Sequence, residues 1–407
     1  MDGKARVRSS GSACRLRTFL KMSTRRQWIE EYRKLLLDDI VPFWLEHGID
    51  WQCGGVLSCM DDYGAVLSTD KYIWSQARSV WTFSALYNRL AKNELFLKVA
   101  ANSVRFLLDH GRDSEGRWVY HTDRAGNVIE GAISIYSDCF AVYGLSEYYR
   151  ATRDESILAV ARTTFRQILE RVSSPGFADT APYKLSPGRR AHAIPMILTE
   201  IANELLATTG DSYLDSVVMR CVNEVMNRFL RPDRQLVLEY LNEDLEELPG
   251  PEGTAVMPGH AIESMWFMLH VARRRGDRDL IERASRAIRR HLEAGWDSEY
   301  GGILLGIDAN GGTPFVKHWD KKLWWPHTEA LYALLLCHEL TNESWCLEWY
   351  GRVHEWAFAH FPMPEAGEWR QRLTREGKPT AELVALPVKD PFHLPRSAIL
   401  ITQLFQS

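Results

Sequence analysis

No apolar run in this sequence approaches the roughly 20 residues that a membrane-spanning helix needs, so no bilayer span is expected. Basic surplus is missing as well. The chain has 49 Lys and Arg against 53 Asp and Glu, a net charge of -4, which removes the electrostatic footprint of a nucleic-acid binder. The 7 cysteines form an odd set without a single C-x-x-C. That excludes a disulfide framework and a zinc ribbon, and a reducing, cytoplasmic setting follows. There is no H-x-x-x-H and no H-E-x-x-H, so no metal is expected. There is also no Walker-type phosphate loop. Acidic residues are scarce in the first 21 positions, where Asp2 stands alone against Lys4, Arg6, Arg8, Arg15, Arg17 and Lys21. Without an apolar core for secretion, residues 1–21 read as a disordered leader, with an organellar transit peptide as the alternative and Met22 as a second start. Residues 22–407 read as a single domain.

What is present is a large apolar fraction, 45% of 407 residues, and a repeat. Short Gly-centred, strand-like segments occur at Cys53-Gly54-Gly55-Val56-Leu57, Gly116-Arg117-Trp118-Val119-Tyr120 and Gly301-Gly302-Ile303-Leu304-Leu305. Weaker versions lie near Gly176, at Gln235-Leu236-Val237-Leu238 and at Gly367-Glu368-Trp369. The three clearest are followed by Asp-x-x-Gly turns (Asp61 to Gly64, Asp123 to Gly126, Asp308 to Gly311), which is hairpin chemistry. Between them run pairs of helix-periodic stretches: 72–91 with 94–110, 134–151 with 154–172, 191–208 with 211–229, 258–274 with 277–293, and 321–340 with 343–360. A helix over 27–46 precedes them and one over 393–405 ends the series. Signals such as Thr209-Gly210-Asp211 and Arg275-Gly276-Asp277 end one helix and start the next. Helical hairpins repeated about every 60 to 65 residues either continue as a solenoid or close on themselves. Six hairpins with short strands at one end favour an all-α, closed (α/α)6 barrel. Charge-rich stretches such as 277–293 would form its outer wall.

The predicted inner helices carry unusual mixtures of residues. In Met257-Pro258-Gly259-His260-Ala261-Ile262-Glu263, Pro258 opens a helix and puts His260 and Glu263 on one face, close enough to share a proton or fix a tautomer. A helix-entry His capped by a first-turn Glu is the plain alternative. Trp74, Arg78 and Trp81 fall at i, i+4 and i+7, an Arg between two indoles. This suits a carbohydrate wall, or simple surface packing. In Lys322-Leu323-Trp324-Trp325-Pro326-His327-Thr328-Glu329, proline marks a helix start, and a buried Glu329 would need a specific partner, either substrate hydroxyls or a catalytic His. Phe392-His393-Leu394-Pro395-Arg396 sets a second His three residues before an Arg at another helix entry. Glu263 and Glu329 could serve as a glycosidase carboxylate pair. Two histidines are better suited to moving a carbon-bound proton near neutral pH.

These stretches, with Lys71-Tyr72-Ile73-Trp74-Ser75-Gln76-Ala77-Arg78 and Ser137-Asp138-Cys139-Phe140, resemble the N-acylglucosamine 2-epimerase family, also called renin-binding protein in animals. They span nearly all of the chain after Met22, in the family's order. Asp138 and Ala77 depart from the Glu and Gly often found there. The Pro326-His327 pair and the Ala193-Ile194-Pro195-Met196 helix entry are closer to the N-acylglucosamine branch than to cellobiose 2-epimerases, although His192 stands near the place of a third histidine in other branches. The resemblance implies an (α/α)6 barrel, His260 and His393 as the acid/base pair, Arg78, Glu263, Glu329 and Arg396 as positioning and electrostatic partners, and Trp74 and Trp325 against the sugar. It also implies exchange of N-acylglucosamine and N-acylmannosamine by proton transfer at C2 of the open-chain sugar through an enediolate. No cofactor is required, with ATP as an activator that is not consumed. A homodimer is an open assembly. The competing expectations are an epimerase or aldose–ketose isomerase of unsubstituted sugars, and a non-enzymatic interaction protein.

Overall fold

A computed structural model describes residues 25–384 and 386–405. The leader expected over residues 1–21 lies outside the described residues. Twelve helices organise the rest: α1 (25–48), α2 (73–90), α3 (Glu94–His110), α4 (Ile135–Thr152), α5 (Glu155–Val172), α6 (Ala193–Thr209), α7 (212–229), α8 (Pro258–Arg275), α9 (Arg278–Gly295), α10 (Trp324–Thr341), α11 (Ser344–His360) and α12 (His393–Leu404). The even-numbered helices form a closed ring, each packed on the next, with α12 returning to α2. The odd-numbered helices pack outside them, and the expected (α/α)6 barrel results. Closure has one feature that periodicity did not reveal. The sixth hairpin is made of the first and last helices, α1 against α12, tied by Trp28 on Phe405 at 5.4 Å.

Burial separates the two walls. In α10, Pro326 through Cys337 are buried without a break, because helices surround it on every side. In α9 only one face is buried, and its arginines carry the outer surface. The turns from inner to outer helix are built alike. A left-handed residue (Arg153, Gly210 or Gly276) ends the inner helix and an Asp caps the outer one. Asp154, Asp211 and Asp277 accept from Ser156, Tyr213 and Leu280 backbone N–H groups at 2.9, 3.0 and 3.0 Å. Each such cap is worth about 1 kcal/mol. Pro42 cannot donate a helical hydrogen bond, and α1 widens into π turns at Leu35–Ile40 and Trp44–Gly48 around it.

The opposite end carries the short strands. The turns at Asp61–Gly64 and Asp123–Gly126 join antiparallel pairs, as expected. The Asp308–Gly311 turn does not make a hairpin, because Ile307–Asp308 pairs with Ala255–Val256 instead. Of the strand-like segments, Leu236–Val237 and Glu368–Trp369 are strands, whereas the three clearest Gly-centred ones are not. Gly54 and Gly55, like Gly301 and Gly302, have φ between 73° and 86°, a turn that leaves only the single bridges Ile49–Val56 and Trp296–Ile303.

Those two turns belong to a structural duplication. Lys71, buried before α2, donates to Asp50 at 3.0 Å and to the Gly54 carbonyl at 2.7 Å, while Arg124 also grips Asp50. Lys322, buried before α10, donates to Asp297 at 3.1 Å and to the Gly302 carbonyl at 3.2 Å, while Arg375 grips Asp297. Gln76 then accepts from Val56 N–H at 2.7 Å, and His327 from Ile303 N–H at 2.9 Å. His327 is thus a packing residue, its pKa pushed down to about 3 by burial. The two clasps fix the starts of α2 and α10, the ring neighbours of α12.

Candidate active site

Six of the eight residues singled out from the sequence meet at the strand-bearing ends of α8, α10 and α12. Pro258 starts α8 with Met257 as its cap, Trp324 starts α10, and His393 starts α12. Three helix entries therefore point their first turns at one region. The rings of His260 and His393 both pack on the indole of Trp325, at 5.2 and 5.6 Å between centroids. Gly259 makes this possible. A Cβ there would lie 2.7 Å from the Trp325 ring and 2.9 Å from Pro326.

Glu329 is the hub. One of its oxygens accepts from Trp266 Nε1 at 2.8 Å, and the other accepts from His393 Nδ1 at 2.8 Å and from Arg396 at 2.7 Å. This answers which partner its burial requires. Arg396 also donates to Glu263 and lies over the Trp266 and Phe392 rings at 5.0 and 4.5 Å. Its charge is thus shared between two buried carboxylates, which hold it strongly in the protonated form. Glu263, Glu329 and His393 bring potential ligand atoms within 4.8 Å of one another, a cluster with metal-like composition. The Arg396 guanidinium bridges both carboxylates and supplies the positive charge there.

The expected pairing of His260 with Glu263 is replaced. Glu263 goes to Arg396, and His260 Nδ1 donates instead to Glu239 at 3.0 Å. Sequence reasoning missed Glu239, which lies buried just beyond the Leu236–Val237 strand. The signal was an acid inside the apolar run Leu236-Val237-Leu238-Glu239-Tyr240-Leu241. His192 lies beside this pair without a side-chain hydrogen bond to it: its backbone N–H donates to the Glu239 carbonyl at 2.9 Å, its Nε2 contacts Ser264 Oγ at 3.0 Å, and burial pushes its pKa down to about 4.

Arg78 and Trp74 flank the site from α2. Arg78 donates to Asp390 at 2.8 Å and lies over Trp74, Phe140 and Phe392 at 4.6, 4.1 and 4.7 Å. The expected sandwich between two indoles is therefore half right. Trp81 turns away to stack on Tyr143 at 5.2 Å, and Phe140 from α4 with Phe392 from the α12 entry take its place. Arg78 Nε and Trp74 Nε1 are buried and have no hydrogen-bond partner among the described residues. Asp138, at the departure from Glu noted above, pairs with Arg171 at 2.8 Å on the outer side of α4, away from the histidines.

The two imidazoles differ electrically. Burial would lower the pKa of His260, but the charge and hydrogen bond of Glu239, with Glu263 beyond, raise it above the ordinary value. His393 is pushed down to about 3 by burial and then by Arg78 and Arg396, against the pull of Glu263. The proton is therefore held more firmly on His260 than on His393, an asymmetry that suits transfer of a proton to and from carbon.

The sequence model of N-acylglucosamine 2-epimerase (GlcNAc 2-epimerase) matches residues 54–394. The N-acylglucosamine 2-epimerase of Mus musculus is 31% identical over 94% of this chain and 94% of its own length, and that of Homo sapiens is 30% identical over 94% and 92%. Among solved structures, cellobiose 2-epimerase from Bacillus thermoamylovorans superposes with a TM-score of 0.80 at 21% identity, over 93% of this chain and 99% of that one, which establishes the shared fold. No helix among the described residues is long and apolar enough to cross a membrane. The chain belongs to the N-acylglucosamine 2-epimerase family and is a carbohydrate epimerase.

Proposed function

We propose that the protein interconverts N-acylglucosamine and N-acylmannosamine, with His260 and His393 as its two proton-transfer groups. The observation that carries this reading is the pair of imidazoles on one indole, each tied through Nδ1 to its own carboxylate. A carboxylate that accepts from Nδ1–H leaves Nε2 as the working nitrogen. In the resting enzyme His393 is the base. It removes the proton at C2 of the open-chain aldehyde, and the electron pair moves to the carbonyl oxygen to give an enediolate. His260, held protonated by Glu239, then delivers its proton to C2 from the other face and inverts that centre. The reverse reaction exchanges the two roles.

The enediolate oxygen needs a cationic donor in place before the proton leaves. Arg396 is committed to two carboxylates, whereas Arg78 has a single acidic partner, so Arg78 takes this task. Trp74 Nε1 offers a further donor to a sugar oxygen, and the Trp325 indole supports both histidines. Glu329 and Glu263 position through Arg396 and His393. Both proton transfers use side chains of this chain, so the reaction needs no cofactor.

The test is proton NMR in deuterated buffer with N-acetylglucosamine and N-acetylmannosamine as separate substrates. His260→Asn and His393→Asn should each lose epimerisation by about 10²–10⁴-fold, the usual worth of a positioned acid or base. Each variant should still exchange the C2 proton of one epimer, and the two should retain opposite epimers. Near-normal turnover in both variants would overturn the assignment.

A further inference from the structure

At the far end of α10 from the site, Cys337 lies beside Cys346 of α11, with Sγ atoms 3.3 Å apart and both side chains fully buried. The turn through Asn342, left-handed at φ 56°, folds the two helices back on each other and faces the thiols. Closing to the about 2.05 Å of a disulfide needs a short approach of two sulfurs already in contact. No other pair among the described cysteines has such a contact: Cys53, Cys59, Cys139 and Cys221 have no thiol neighbour. A groove on the outer wall runs beside the turn that joins their helices. It has about 640 Å³ and is lined by Ser285 of α9 and by Leu340, Thr341, Glu343 and Trp345, which lie between the two cysteines in sequence.

We propose that Cys337 and Cys346 form a built oxidation site, a dithiol that a small hydroperoxide entering this groove converts to a disulfide. Cys346 donates its S–H to Cys337, so the Cys337 thiol ionises below its ordinary pKa while Cys346 is pushed up. The charged groups around the pair are Glu343 in the turn and, along the groove, Arg278, Glu282, Arg286 and Arg289 of α9. Cys337 is therefore the attacking sulfur. Its thiolate takes the distal oxygen of the hydroperoxide, the O–O bond breaks, and the alcohol or water leaves with a proton. The Cys346 sulfur then attacks the Cys337 sulfenic acid, the S–O bond breaks, and a second water leaves. Two thiols are oxidised and one O–O bond is reduced. The bond formed staples inner helix to outer helix on the element that carries Trp325 and Glu329.

The experiment uses the full chain with hydrogen peroxide, followed by denaturing alkylation and peptide mass mapping. Wild type should give a Cys337–Cys346 cross-linked peptide that is lost on reduction. Cys346→Ser should instead leave Cys337 as a sulfenic acid that dimedone traps, while Cys337→Ser should leave Cys346 as a free thiol. Recovery of both as free thiols in wild type while exposed Cys53 is oxidised would overturn the proposal. So would over-oxidation of Cys337 without a cross-link, or equal dimedone labelling of either single variant.

Discussion

Glu239 holds His260 through Nδ1 at 3.0 Å, from a strand end on the neighbouring unit rather than from the helix that carries the imidazole. The acid of the proposed reaction is therefore set by a residue outside its own element.

Replacing Glu239 by Gln keeps the shape and removes the charge. Hydrogen bonds to charged groups contribute about 1.5–3 kcal/mol, so kcat should fall roughly ten- to a hundredfold. Because Glu239 raises the pKa of His260, the alkaline limb of the pH–rate profile should move to lower pH in the variant. The same pair contributes stability that is fully present below about pH 6.5, the unfolded value, and is lost as pH rises through the raised folded value. Profiles of kcat for wild type and variant check the first point, and denaturation midpoints over the same range check the second.

Arg78→Lys preserves a positive charge but lacks the planar guanidinium that can meet Asp390 through one nitrogen while another offers a donor to the enediolate. Loss of one such oxyanion contact typically costs about 10²–10³-fold in kcat. The expected signature is a fall in kcat with KM little changed. A variant altered only in KM would show that Arg78 binds ground-state sugar and has no part in stabilising the intermediate.

Gly259→Ala drives a methyl group into the Trp325 indole, and overpacking of this kind costs about 1–3 kcal/mol. Since both imidazoles rest on that ring, activity should fall much further than stability does. Calorimetry beside steady-state turnover separates the two. Loss of activity only in proportion to loss of folded protein would count against the shared indole as the organising surface.

Lys322 is fully buried, and burial, only partly offset by Asp297, lowers its pKa to about 8. The unfolded chain therefore binds more protons than the folded one between about pH 8 and 10.5, and stability from this group rises with pH across that window. Lys322→Met should cost about 1–3 kcal/mol at neutral pH by leaving Asp297 with Arg375 alone. Its deficit relative to wild type should widen toward alkaline pH, where the buried amine becomes neutral without penalty. Urea titrations at several pH values provide the measurement.

Much of this arrangement was legible from the chain alone, for identifiable reasons. The hairpin period, the Pro258 helix start and the Gly–Asp turns are local chemistry, and local chemistry is written in neighbouring residues. His260, His393, Glu329 and Arg396 stood out because ionisable groups at helix entries beside aromatics have few structural uses. What could not be read depends on distance along the chain. The Arg396–Glu263 contact joins residues 133 apart, and the partners of Arg78 include Phe392 and Asp390, more than 300 positions away. Trp81 was misplaced because a helical wheel gives a broad face, and only the position of Tyr143 decides which way an indole on its edge turns. The clasps of Lys71 and Lys322 were hidden because their glycine carbonyls, at Gly54 and Gly302, lie in segments that pattern reading took for strands.

The pairing of the first helix with the last has a consequence for the newly made polypeptide. His393 and Arg396 arrive on the final stave of the ring, so a chain still growing on the ribosome presents Glu263, Glu329 and Trp266 to water through an open seam. Long-range closure of this kind is slow and leaves sticky walls uncovered until it happens. If His393 and Arg396 act as proposed, epimerase chemistry waits for that last stave, because a ring without it holds Glu263 and Glu329 but only one of the two imidazoles.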